Sequence, residues 1–312
     1  TPEIRHQICI NSCTVSHVTT TSFPIPENKL RLLSIHAHPD DEASKGASTI
    51  AAYHDKGIYC ALVCCTGGEE GDILNPAMDR PEINENLAEV RLGELQKSAE
   101  IIGYDEVIML GYRDSGMADS PANSNPDAFA NADPEQAIGR IVSIIRRIRP
   151  QVIISYPDER DWYNHPDHLQ VHDISIPAFE AAGDPNRYPE HGHAWQPSKL
   201  YFSTWSSERI EAMHKKFLEF EIESPFKSWS ERPSRDHLIS TRIPISDYWS
   251  VRKKALLAHE TQVDPKSPFW FGLPDEVARE VHPYDDYILA LSEVDTKNEK
   301  GYEDDLFAGI EK

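Results

Sequence analysis

The chain has no long apolar run. Its longest apolar stretches, "IYCALVCC" and "VIIS", are strand-sized, far short of the ~20 residues a helix needs to cross a bilayer, so neither a spanning helix nor a membrane partner is expected. Basic charge is scarce as well: 31 Lys and Arg face 52 Asp and Glu, a formal net charge of −21. That balance argues against nucleic acid or an anionic lipid surface as the main partner, while leaving room for a local basic pocket. Cysteine is too thinly and oddly spread for a disulfide framework. Of five cysteines, Cys9 and Cys13 lie near the start. Cys60, Cys64 and Cys65 share one expected strand, where neighbours point to opposite faces. A reducing, cytoplasmic setting is the expectation. The first 29 residues lack the unbroken apolar core of a signal peptide. They are polar and Thr/Ser-rich ("VSHVTTTSFPIPENK") and read as a loosely held arm.

No internal repeat or Gly/Pro-rich linker cuts the rest, so residues 30–312 read as one domain. From Leu30, short apolar runs alternate with amphipathic ones. "LRLLSI", "IYCALVCC", "DEVIML" and "QVIISYP" predict strands. Helices are predicted from about Glu42 to Lys56, ended by Gly57, from Asn84 to Gly103, and over "PEQAIGRIVSIIRRI", which opens on Pro and acids. This rhythm predicts an α/β, Rossmann-like, mostly parallel sheet with helices on both faces. From about residue 183 the rhythm loosens into C-terminal α+β elaborations. There "KLYFSTW" and "STRIPI" read as strands, "SERIEAMHKKFLEF" and "SDYWSVRKKALLAHETQ" as helices, and the acidic tail from Glu293 as fraying.

The chemistry is concentrated at two strand ends. "SIHAHPDDEASKG", residues 34–46, places two histidines and three consecutive acids behind the first strand. His38 and Asp41 are three apart, a spacing that can bring an imidazole nitrogen and a carboxylate oxygen to one point. Two ligands make a weak site. The fourth strand runs into "DERDWYNHPDH", whose His168 supplies the third. Two histidines and one carboxylate leave positions open for water, the layout of a catalytic metal site. The same ligands accept Fe²⁺ as well as Zn²⁺. Asp40, beside a ligand, could take the proton of an attacking water. His165 could stand across the site as a cation or proton donor. Asp167 could fix a histidine tautomer, and Tyr163 could stabilise an oxyanion. His36 is expected to pack or hydrogen-bond. His172, His191, His193 and His259 are expected to be structural or on the surface.

"AHPDDE" and "HPDH" together resemble the signatures of the LmbE-like, or PIG-L, family of zinc-dependent N-deacetylases and amidases. "CTGGEEGDILNPAMDRPE", "AEVRLGELQKSAEIIG", "LGYRDSGM" and "LLAHETQVDP" extend the resemblance from about Leu30 to Ala290. They resemble its mycothiol branch, nearer the S-conjugate amidases than the deacetylases. The resemblance implies His38, Asp41 and His168 as zinc ligands, Asp40 as base, and a charged His165 oriented by Asp167. It also implies Tyr163 as a mobile carbonyl-polarising phenol, and Arg91 and Asp114 as sugar-binding residues. Lys45 matches a lysine typical of the amidases. Read without the family, Arg91 is an exposed helix charge near Glu94, Asp114 a turn residue beside Gly116, and Lys45 a solvated lysine. Trp162 and Asn164 depart from the family's glycine-rich pattern.

The implied function is hydrolysis of an amide on a glucosamine nitrogen in a small thiol–sugar conjugate. Deacetylation of N-acetylglucosaminyl-inositol, or a related sugar, is the alternative. A non-catalytic metal- or sugar-binding module is a third reading, against which Asp40 argues. A homo-oligomer is left open.

Overall fold

The computed structural model describes Ser16–Val18, Ile25, and residues 29–295 and 301–311. Among these, the strands β1 (Ser16–Val18), β2 (Arg31–His36), β3 (Tyr59–Thr66), β4 (Glu106–Tyr112), β5 (Val152–Ser155), β6 (Lys199–Thr204), β7 (Thr241–Pro244) and β8 (Tyr284–Ser292) form one sheet. Its order is β1-β4-β3-β2-β5-β6-β8-β7. β4, β3, β2, β5 and β6 run parallel, while β1, β8 and β7 are antiparallel additions at the edges. The parallel strands thus follow the doubly wound order, with the topological switch between β2 and β5.

Both faces of the sheet are covered, which is why β3 reads as a near-continuous apolar run. Leu33, Ile35, Ala61, Val63 and Cys65 pack against the helices Pro134–Ile148 and Pro166–Gly183. Leu32, Cys60, Leu62 and Cys64 face the helices Ala47–Asp55, Leu87–Ile102 and Trp249–Ala258. Cys60, Cys64 and Cys65 are buried free thiols split between the two layers, and burial pushes all three well above the ordinary thiol range. Cys9 and Cys13 lie outside the described residues. Local chemistry ends the helices where expected. The Asp133 side chain caps the Pro134–Ile148 helix by accepting from Glu135 N at 3.0 Å, and Gly103, at φ 96°, ends Leu87–Ile102.

Several elements differ from the sequence expectation. The helix expected over 42–56 is broken into Asp41–Ser44 and Ala47–Asp55, with Gly46 at φ 107° between them. β6, assigned above to the elaborations, joins the parallel core through the Pro166–Gly183 crossover. β8 escaped notice because its "YDDY" start carries two carboxylates. Both are buried and partnered: Asp285 accepts from Thr49 at 2.8 Å, and Asp286 from Ser206 at 2.6 Å. Within the N-terminal arm, Ser16–Val18 pairs with β4. The C-terminal tail does not fray over 301–311. Leu306 and Phe307 enter the core, and Glu303 accepts from Tyr201 Oη at 2.8 Å. Residues 296–300 lie outside the described set.

A smaller third cluster belongs to the C-terminal third, where Ile210, Phe217 and Phe226 pack with Trp205, Trp229 and Phe269. It lies beside the carboxyl end of β6. That position matters for the site.

Candidate active site and metal centre

The loops leaving β2 and β5, one on each side of the switch, bring His38, Asp41, His165 and His168 together. His38, Asp41 and His168 are buried and offer donor atoms within 4.8 Å of one another, a group that could hold a metal ion. Asp41 is the hinge. Its Oδ2 lies 3.4 Å from His38 Nδ1 and 3.4 Å from His168 Nε2. Its Oδ1 receives the Lys45 ammonium at 2.6 Å. Burial alone would raise the Asp41 carboxyl, but Lys45 and His168 outweigh it and hold it well below the usual range.

A second group, His38, Asp114 and His165, also brings its donor atoms within 4.8 Å of one another, but these are committed elsewhere. His38 Nε2 lies 3.1 Å from Asp167 Oδ2. Asp114 Oδ1 accepts from Gly116 N at 2.8 Å, and His165 Nδ1 accepts from Asp167 N at 3.2 Å. With the Nε2 proton directed at Asp167, the Nδ1 lone pair of His38 is left for the first group.

Asp167 therefore orients His38, whereas the family resemblance assigned it to His165. Its other oxygen is held by the Ser115 hydroxyl, and it also accepts from Ser115 N at 2.9 Å. His165, which the resemblance implies as a charged group, is placed differently. As the N-cap of the Pro166–Gly183 helix it spends Nδ1 on a backbone N–H. Burial, then the neighbouring His38 and His168, pushes it down to about 3.

Asp40 sits at φ 123°, outside the comfortable range for any residue with a side chain, a strain that persists only where surroundings enforce it. Two groups enforce it. Glu42 Oε2 accepts the Asp40 N–H at 3.0 Å, and Arg91 Nη2 donates to Asp40 Oδ2 at 3.1 Å and to Pro39 O at 2.6 Å. Glu42 is held in turn by His259 Nε2 at 2.6 Å and Ser98 Oγ at 2.5 Å. The last acid of the DDE run is thus a buried brace, and His259 is structural, as expected. The surface reading of Arg91 is overturned: it is 2% exposed, and its Nη1 donates to Gly68 O at 2.7 Å. Gly68, at φ 70°, has to be glycine, since a Cβ there would lie 2.3 Å from that guanidinium. Burial raises the Asp40 carboxyl, Arg91 pulling against it.

The remaining candidates fall around this centre. Asp114 is both a turn residue and a neighbour of the centre, with Oδ1 3.5 Å from His38 Nε2. Tyr163 stands at the rim, 38% exposed and edge-on to His168 with ring centroids 5.0 Å apart. Trp162, the departure beside it, is pinned: Arg232 donates to its carbonyl at 3.1 Å and stacks 5.0 Å from its ring. His36 donates or accepts at Tyr156 Oη, 3.0 Å away, and burial pushes it down to about 4. It packs and hydrogen-bonds, as the alternation along β2 suggested.

Two features escaped the sequence reading. Glu159 Oε2 lies 3.5 Å from His168 Nδ1, within ion-pair distance but without a formed hydrogen bond; an acid before the HPDH run was its only signal. The second is a cavity of about 300 Å³ opening from Asp40, Asp41, Lys45 and Tyr163. Its wall is largely aromatic: Trp162, Trp205, Trp229, Phe269 and Trp270. These residues are scattered over more than a hundred positions and carry no motif.

Residues 33–179 match the PIG-L family, GlcNAc-PI de-N-acetylase. The mycothiol S-conjugate amidase of Streptomyces coelicolor is 44% identical over 293 residues, covering 91% of this chain and 98% of its own. The 1D-myo-inositol 2-acetamido-2-deoxy-alpha-D-glucopyranoside deacetylases of Thermobifida fusca and Geodermatophilus obscurus are 37% and 36% identical, each over 90% of this chain and 100% and 98% of their own. The fold is shared with N,N'-diacetylchitobiose deacetylase from Pyrococcus horikoshii (TM-score 0.59, 17% identity, 84% of each chain). It is also shared with 4-carboxy-2-hydroxymuconate hydratase from Pseudomonas putida (TM-score 0.57, 16% identity, 86% of this chain and 99% of that one). A hydratase on the same scaffold means that the fold alone does not choose the reaction. No described helix is long and apolar enough to cross a membrane. Sequence identity over nearly the whole length decides the matter: the chain belongs to the PIG-L family of sugar N-deacetylases and amidases, and is an enzyme acting on amide bonds.

Proposed function

We propose that this enzyme hydrolyses the amide between a glucosamine nitrogen and an S-substituted cysteine, as a mycothiol S-conjugate amidase like its Streptomyces relative, with zinc as its metal. The observation that carries the reading is the aromatic cavity beside Asp40 and Asp41. At about 300 Å³ it reaches the range in which proteins enclose drug-sized ligands, and an acetyl group would fill a small part of it. An acyl group bearing a bulky apolar sulfur substituent suits it better.

The donor chemistry supports zinc. Tetrahedral ligands about 2.0–2.1 Å from the ion stand about 3.3 Å from one another, close to the 3.4 Å that separates Asp41 Oδ2 from each imidazole nitrogen. When bound, the cation would polarise the amide carbonyl and acidify the attacking water. Asp40, held by Arg91 and Glu42, receives the proton of that water as its oxygen adds to the carbonyl carbon. Its raised pKa suits it to pass the proton on to the departing amine. The C–N bond then breaks, releasing a carboxylic acid and a free glucosamine. Tyr163 and the neutral Nε2–H of His165 are available as donors to the oxyanion. Lys45, at the mouth of the aromatic cavity, faces the acyl side, whereas Arg91 and Asp114 lie toward β3 and β4, the side on which a sugar would rest.

The deciding experiment measures amine release from a mycothiol S-conjugate and from N-acetylglucosaminyl-inositol, each with zinc-loaded and with chelated protein. Faster, chelator-sensitive cleavage of the conjugate is expected. Faster release of acetate from the sugar would reassign the enzyme to the deacetylases, whose names the other relatives carry.

A further inference from the structure

Behind the aromatic wall lies a second, narrower cavity of about 30 Å³. It shares Trp205, Phe269 and Trp270 with the substrate cleft but none of the metal-centre residues. Two arginines line it, and both are more than nine-tenths buried: Arg209 is 8% exposed and Arg252 4%. Arg209 stacks 4.3 Å from the Trp205 ring. Arg252 lies 5.5 Å from the same ring and 5.9 Å from that of Trp249.

Negative charge around the pair falls short. Asp285 Oδ1 is 3.8 Å from Arg209 Nη1, beyond hydrogen-bond reach, and Asp285 Oδ2 is taken by Thr49. Asp286 is committed to His282 at 2.8 Å, Arg242 at 3.2 Å and Ser206. Arg252 Nη2 donates to Ser44 O at 3.2 Å, but its Nε and Nη1 have no hydrogen-bond partner among the described residues. Burial, then Arg209, pushes Arg252 down to about 9. A guanidinium keeps its proton, and a buried, uncompensated charge with orphaned donors is costly. Such orphans commonly mark the place of a bound ion or water.

We propose that this cavity binds a small monovalent anion, of chloride or short-carboxylate size, between Arg209 and Arg252. Its volume exceeds the ~10–15 Å³ one water requires, which suits a single small ion. The site is tied to the catalytic segment, because Ser44 O closes the Asp41–Ser44 helix immediately before Lys45. An occupied site therefore fixes the guanidinium that holds the carboxyl end of the helix carrying Asp41. The proposal is independent of the amide reading, because its readouts are binding and stability.

The test is bromide soaking of crystals of the full-length protein, with anomalous scattering, alongside thermal melts in chloride, in formate and in gluconate at constant ionic strength. A bromide peak beside Arg252, with a saturable melting rise of roughly 5 °C at a hundredfold excess over Kd, is expected. The rise should be absent in R252Q. A rise in formate alone would keep the site and assign it to carboxylates. If R252Q does not fold, the wild-type peak and melts still decide. No peak, together with equal melting in all three salts, would overturn the proposal and leave the cavity to water.

Discussion

The candidate metal centre and the aromatic cleft touch at Asp40 and Asp41 yet are built on opposite principles. The candidate centre draws its metal-ligating side chains from two short motifs at strand ends, and each has a charged neighbour: Asp167 at 3.1 Å from His38, Lys45 at 2.6 Å from Asp41, and Glu159 at 3.5 Å from His168. The cleft draws Trp162 from the loop after β5 and Trp205, Trp229, Phe269 and Trp270 from the looser C-terminal part; those four hold one another by ring contacts at 4.7–6.1 Å, and Arg232 stacks on both Trp162 and Trp229. Chemistry needs atoms placed to a few tenths of an ångström, and short motifs on rigid strand ends provide that. Selectivity needs area and shape, which many sequences can supply. The two regions should therefore fail differently when cut.

The largest expected effect is at the junction. Asp40→Asn should lower kcat by about 10²–10⁴-fold with bound zinc unchanged, measured by turnover and metal analysis on the same sample. Full activity in that variant would remove Asp40 from the base role.

On the cleft side, Asp286→Asn should cost about 3 kcal/mol in urea unfolding near neutral pH, since it strips a buried carboxylate from His282, Arg242 and Ser206. The sign of its pH dependence follows from the direction of the shift. Burial would raise Asp286, but His282 and its other donors outweigh burial and hold it below the ordinary value. A depressed folded-state pKa stabilises fully above the unfolded value of about 4 and is lost as pH falls through the folded one. The gap between wild type and D286N should therefore narrow on acidification below about pH 4. A gap that is constant with pH would mean the effect is packing.

Asp167→Asn should weaken zinc binding about 10–100-fold in a chelator competition while leaving the cleft intact. This separates a residue that orients His38 from one that touches substrate. The smallest effect belongs to the wall. Trp229→Ala should lower kcat/KM about tenfold for a conjugate with a bulky apolar sulfur substituent, yet change hydrolysis of an acetyl sugar less than twofold. Equal losses on both substrates would sink the division between centre and cleft.

How much of this was legible in advance differs residue by residue. His38, Asp41 and His168 could be chosen from spacing and strand ends, because two apolar runs and two short polar motifs already define where a parallel sheet delivers its loops. The brace on Asp40 could not. Arg91 looks like a surface charge because helix periodicity places it near Glu94, and only the loop through Gly68 folds over it. Glu42 and His259 are 217 residues apart in sequence and 2.6 Å apart in space. β8 was hidden because its carboxylates look like surface residues until Arg242 and His282 meet Asp286.

What the amino-acid order determined by itself is local and periodic: the strand–helix rhythm, the glycine-terminated helices, and two clusters of ligating side chains at strand ends. What the tertiary structure decided is everything that depends on partners distant in the chain. It set the Asp167 carboxylate against His38, buried Arg91 against Asp40, and closed an aromatic cavity beside Asp40 and Asp41. The physical reason is that spacing constrains neighbours within a turn or a strand, whereas a hydrogen bond or a cavity wall is defined by whatever the completed packing brings across from another element.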